Sequence, residues 1–238
     1  MSPALRPAIA LLCFLLAVAF AVSPFLVEGF AGFAPDQFPV RQDNPPVQPA
    51  GYAFAIWSVI YGWLILGLGW GLVRAPRDGQ WHDMRLPLCI SLAVGSTWLA
   101  VAVASPVWAT VLIWVMLIAA LAALFMAPVA DTPWAALPVG LYTGWLSAAA
   151  CVSLGLLSAG YGWLDQQTAA LVFVGIAIFI GCFVQSALRR APTYGMAVIW
   201  ALVAVAVANR DAVQVVAWLA AGGVVVLLVP TLAAMRRR

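Results

Sequence analysis

The chain has 238 residues, of which 66% are hydrophobic and only 8% charged, with a formal net charge of +3. That balance excludes a water-soluble domain, which needs far more polar surface. It also argues against a nucleic-acid partner, because all eleven basic residues are arginines at the ends of apolar runs and none forms a basic face.

The apolar runs are about 17 to 25 residues long, the length a helix needs to cross roughly 30 Å of hydrocarbon. They lack the strict alternation of a barrel strand. In a bilayer core the backbone must satisfy its own N–H and C=O groups, so the fold class read here is an all-α, polytopic transmembrane bundle of about eight spans.

The first span covers about 7–28. Arg6 and Ala19-Phe20-Ala21 imitate a signal peptide, but the run from Pro7 to Val27 exceeds a usual signal core and is read as a retained helix. A loop follows with five prolines from Pro35 to Pro49. The second span is about 50–73. A polar loop, Arg74 to Arg85, leads to a third span at about 86–104, which breaks at Ser105-Pro106. The fourth is about 107–128, and the fifth about 134–158 after a turn holding Asp131. Gly160, Gly162 and Asp165 mark the next turn. The sixth is about 166–188, the short seventh about 193–208, and the eighth about 212–235, closing on Arg236-Arg237-Arg238.

With the N-terminus in the cytoplasm, nine arginines fall inside and only Arg41 and Arg210 outside. That asymmetry obeys the positive-inside rule, and predicts an even span count with both termini cytoplasmic; the membrane expected is a bacterial plasma membrane, which no particular residue specifies. No charge lies at mid-span, which argues against an ion-coupled pump. Without a lysine there is no retinal Schiff base. The lone His82 is expected in a solvated loop, with no companion ligands for a metal. Cys13, Cys89, Cys151 and Cys182 sit inside apolar runs as inert thiols. No catalytic residue and no required cofactor is assigned.

Twelve tryptophans are more than an interfacial belt requires. Trp81 and Trp134 stand at apparent boundaries and fit such a belt. Trp57, Trp98, Trp114 and Trp145 fall well inside their spans, where they pack between helices or line a slot for a flat apolar ligand. Trp57 and Tyr61 are four residues apart and share a helix face. The proline-rich entry before them makes a stiff loop, suited to a lid over a pocket mouth. Gly67–Gly71 and Gly140–Gly144 have the small-residue spacing of close helix approach, by default within the bundle, with a homodimer as the alternative.

These motifs resemble the TspO/MBR family of tryptophan-rich sensory proteins and translocator proteins. Pro45-Pro46 followed by Trp57-Ser58-Val59-Ile60-Tyr61 is similar to the family's second-helix mark. Trp98 matches the third-helix tryptophan, while the usual asparagine before it is Gly95. Tyr142, Trp145 and Ala149 follow the fifth-helix pattern with looser spacing, and the usual later asparagine falls at Ser153. The resemblance covers about 7–158. It divides the chain into a five-helix core, 1–158, and a three-helix extension, 159–238.

The resemblance implies a receptor or sensor that takes a porphyrin or other tetrapyrrole, or a sterol-like molecule, in an intramembrane pocket. The implied ligand-binding residues are Trp57, Tyr61, Trp98, Tyr142, Trp145 and Ala149, with Pro45 and Pro46 in the loop lid. Trp57 and Trp145 are expected to clamp a flat ring by stacking, and the small Ala149 to leave it room. Two readings compete with a receptor: a small-molecule transporter, and an enzyme that degrades its bound porphyrin with light and oxygen.

Overall fold

The computed structural model describes residues 3–27 and 32–236. They form eight α-helices: α1 Arg6–Leu26, α2 Ile56–Arg74, α3 Gly79–Ala104, α4 Pro106–Met126, α5 Ala136–Gly160, α6 Gln166–Leu188, α7 Thr193–Asn209 and α8 Gln214–Arg236. Seven spans are long and apolar enough to cross a membrane, α2 being counted together with the 3₁₀ turn at Gly51–Ala55 that leads into it. The exception is α7, at 17 residues. The outer faces carry apolar side chains, with Phe25 87% and Trp218 75% exposed. Such an exterior suits lipid and no aqueous phase. The chain is an integral membrane protein.

Local chemistry sets the helix ends. The Asp78 carboxylate accepts from the Trp81 N–H and caps α3. Ser105 caps α4, with Pro106 at its first position. Asp165 accepts from the Gln167 and Thr168 N–H groups to cap α6. Arg189, at φ 52°, closes α6 in the left-handed conformation.

The Asp78 cap corrects the expected third span. Helix α3 begins at Gly79, about seven residues early, and takes up most of the polar loop. His82 is therefore a buried helical residue, 5% exposed, and no solvated loop residue. Trp81 is also buried rather than part of a belt, its indole N–H donating to Asp131 at 2.7 Å. Arg85 is fully buried: its guanidinium donates to the Gly71 and Ala75 carbonyls and lies 4.9 Å from the Trp81 ring centroid. These bonds to backbone and ring make the burial tolerable. Trp134 does keep its boundary place, half-exposed and stacked on Trp70. Of the cysteines, Cys13 and Cys151 are buried and Cys89 and Cys182 half-buried, all four as free thiols.

Nearly every residue of α5 is buried. It is the central helix, packed against α2, α4, α6 and α7. Close approach depends on glycine. A β-carbon on Gly144 would overlap the Tyr194 carbonyl oxygen of α7, and one on Gly140 would press on the Thr193 hydroxyl. Gly67 meets the Trp134 carbonyl and Gly71 the Trp81 ring. Both small-residue pairs are used inside the bundle, as expected by default.

Cross-links define two ends. At one, Arg6 donates to the Arg77 carbonyl and Arg190 to the Phe125 carbonyl. At the other, Gln37 donates to the Val103 carbonyl, the Val40 N–H to Gly160, and Asn209 to Pro46. The first end gathers Arg6, Arg74, Arg77, Arg189, Arg190 and Arg236, and the second holds Arg41 and Arg210.

Candidate functional site

A chamber of about 560 Å³ lies among helices α1 to α5. Trp57 and Tyr61 line it from α2, Trp98 from α3, Ile113 and Met116 from α4, and Trp145 and Ala149 from α5. Five candidate residues thus meet around one void of a size that ordinarily holds a drug-sized ligand.

Trp57 and Tyr61 stack on each other, with centroids 5.2 Å apart and planes 18° from parallel. Their four-residue separation places one ring above the other on one face. Trp98 is pinned across the α3–α4 hairpin, its indole N–H donating to the Ala109 carbonyl at 2.8 Å. Trp145 is 2% exposed and its Nε1 has no hydrogen-bond partner within the protein. That nitrogen is itself shut off from the chamber, so Trp145 contributes ring carbon to the wall and no accessible donor.

The expected parallel clamp is not formed. The Trp57 and Trp145 rings stand at 84° with centroids 6.2 Å apart, an edge-to-face contact with no slot between parallel plates. The stacking partner of Trp57 is Tyr61 in its own helix, which occupies one of its faces. A flat ring in this chamber would find one indole face-on and the other edge-on.

Tyr142 does not border the void. It is fully buried beside it, in edge contact with Phe20 at 5.8 Å and tilted against Trp57 at 6.4 Å. Ser91 Oγ donates to the Met116 carbonyl, so its single proton is used, and the Tyr142 hydroxyl donates to Ser91 Oγ at 2.7 Å. Tyr142 supports the wall instead of forming it.

Pro45 and Pro46 are buried, yet neither lines the chamber. The Pro46 carbonyl accepts from Asn209 Nδ2, the Ala50 N–H donates to Ala204, and the Trp200 indole N–H donates to Ala53. The loop is thus fastened to α7. Its Val47, Gln48 and Pro49 border a second, narrower void.

Sequence reading missed Phe20. It lies at the centre of the aromatic group, edge-on to Trp57 at 5.6 Å and to Tyr61 at 5.1 Å. A β-carbon on Gly95 would sit 2.8 Å from the Phe20 ring. Gly95 therefore leaves room for Phe20, where the resemblance led us to expect an asparagine. One phenylalanine in an apolar first span carries no signal that singles it out.

The family model described as TSPO-like protein matches residues 8–233. The chain belongs to the TSPO-like family. The match continues through α6 and α7 and most of α8, beyond the five spans in which the motifs lie. No curated protein and no solved structure matches the chain. For this TSPO-like protein, the motif residues Trp57, Tyr61, Trp98, Trp145 and Ala149 converge on the chamber, and Tyr142 stands behind its wall.

Proposed function

We propose that this TSPO-like membrane protein is a receptor or sensor for a planar apolar molecule, a tetrapyrrole such as a porphyrin or a sterol-like compound, held in the α1–α5 chamber. The observation that carries the reading is the convergence of Trp57, Tyr61, Trp98, Trp145 and Ala149 on one void of about 560 Å³. Its walls supply aromatic faces and edges, the contacts a flat apolar ring requires. Ala149 is half-buried and small, so it leaves volume where a larger side chain would fill it.

The arginine-rich end faces the cytoplasm of a bacterial plasma membrane, with both termini on that side. A reporter fused to the C-terminus checks this: it should be active only in its cytoplasmic form.

The test of binding is porphyrin titration in nanodiscs, followed by tryptophan fluorescence. Quenching should saturate, and Trp57→Ala and Trp145→Ala should each weaken it by about 1 kcal/mol or more, the scale of an aromatic contact. Unchanged affinity in both variants would remove the chamber as the site.

A further inference from the structure

The second void lies next to the first and differs from it in kind. It runs between α5, α6 and α7, measures about 80 Å³, and is bordered by Val174 and Ala177 of α6 and Ala201 and Leu202 of α7. Phe54, Trp98, Ile113, Trp145 and Ala149 border both voids. These shared side chains form the wall between the two spaces.

Size and chemistry restrict what fits. The crevice is too small for a drug-sized body, which needs roughly 300 Å³ or more. It is several times larger than the roughly 10–15 Å³ that one water requires, but water also needs two to four polar partners, and besides Gln48, Cys151 and Ser153 the lining side chains offer only two indole N–H groups, that of Trp98 already donating to Ala109 and that of Trp145 inaccessible. An apolar void of this kind stays dry, and its lining lacks dispersion contacts on one side. A hydrocarbon chain fits it, being narrow and in need of no hydrogen bond. The alanines at 148, 149, 177 and 201 keep the slot open along its length.

We infer that the crevice is a tail-binding annex of the chamber, and that the ligand is a planar ring carrying a short hydrocarbon substituent of about three to five carbons, linear or prenyl, the length that a void of about 80 Å³ admits. The ring occupies the α1–α5 chamber and the tail passes Trp145 and Ala149 into the slot between α5, α6 and α7. This rests on the chamber reading and narrows it. It also gives α6 and α7 a place in ligand recognition.

The test uses a naphthoquinone ring with and without a five-carbon prenyl tail, compared at equal mole fraction in nanodiscs by tryptophan quenching. A second tailed probe carries a diazirine at the tail end for photolabelling. The tailed ring should bind about tenfold more tightly or better, since each buried methylene adds to affinity. Ala177→Phe and Ala201→Phe should abolish that advantage and leave the tailless ring within about twofold of its original affinity. In the unaltered protein the diazirine should label α6 and α7 at residues bordering the slot.

Equal affinity of the two rings in the unaltered protein would overturn the annex. So would labelling confined to outward residues such as Phe179 and Trp218, as expected if the tail stays among lipid chains or a membrane acyl chain fills the slot. If neither ring gives saturable quenching, the chamber reading fails and the annex with it; if only the tailless ring's site survives, the chamber stands alone.

Discussion

The indole planes of Trp57 and Trp145 stand at 84° to each other, with centroids 6.2 Å apart. This makes their contributions to a bound ring unequal. Only one can stack on it, and the other presents an edge. The Trp145 N–H is buried without a partner and does not open on the chamber, so the part of Trp145 toward a ligand is apolar. Trp145→Phe keeps an aromatic ring and removes the donor. With that nitrogen shut off from the chamber, the substitution should weaken binding of a porphyrin with carboxylate or carbonyl acceptors and of one without them by similar amounts, through lost ring surface alone. Paired titrations of the two ligand types decide it. A larger loss for the acceptor-bearing porphyrin would overturn this and show that the N–H reaches the ligand.

The Ser91–Tyr142 bond has a direction, and the direction predicts an asymmetry. Tyr142 donates and Ser91 accepts, while Ser91's own proton goes to the Met116 carbonyl. Ser91→Ala leaves a buried phenol with no acceptor, which costs about 1–3 kcal/mol. Tyr142→Phe leaves Ser91 still donating to Met116 and should cost less. The double variant should be more stable than Ser91→Ala alone. Thermal unfolding in detergent of the three variants checks the order.

Gly144 and Gly175 give opposite predictions for one and the same substitution. A β-carbon at Gly144 overlaps the Tyr194 carbonyl oxygen, whereas at Gly175 it meets nothing within 4 Å. Gly144→Ala must push α5 from α7 and should destabilise by about 1–3 kcal/mol. Gly175→Ala should be neutral or stabilising, because alanine loses less backbone entropy in a helix. Unfolding midpoints under identical conditions compare them directly.

Asn209 anchors the proline-rich loop through its donor bond to the Pro46 carbonyl, and that bond is buried. Asn209→Ala leaves that carbonyl without its side-chain donor. Hydrogen exchange should then rise in residues 45–53 while α3 and α4 remain protected. If the loop regulates access, ligand on-rate should change together with exchange. Unaltered exchange in that segment would mean that the Ala50–Ala204 and Trp200–Ala53 bonds hold the loop by themselves.

Acid should loosen the start of α6. The hydrogen bond with the Thr168 side chain, then the N–H groups of Thr168 and Gln167, hold the exposed Asp165 carboxyl below its ordinary value. Its stabilising effect is present above the unfolded-state value and fades as pH falls through the lower, folded one. Exchange of the first α6 amides should rise below about pH 4, the ordinary carboxylate range. Asp165→Asn should flatten that dependence.

The family and the spans were legible because membrane insertion is written in local runs. Length and apolarity of a segment decide whether it crosses, whatever its neighbours do. Trp57, Tyr61, Trp98 and Trp145 carried a readable signal, since large amphipathic rings deep in lipid need a reason. Phe20 carried none. The start of α3 was misread because a short polar stretch looks like a loop until Asp78 is seen to cap it and Arg85 is seen to find carbonyls in α2 and the turn after it.

By itself the sequence determined that the chain is helical, lies in a membrane, puts most arginines at one end and carries aromatic residues on its second, third and fifth spans. Tertiary structure alone decided that Trp57 and Trp145 meet edge to face, that Tyr142 props the wall from behind, that the loop is tied to α7, and that a second void opens beside the first. The division has a physical cause. Hydrophobicity and backbone hydrogen bonding act within one segment, whereas ring orientation and empty volume depend on how side chains from several helices exclude one another.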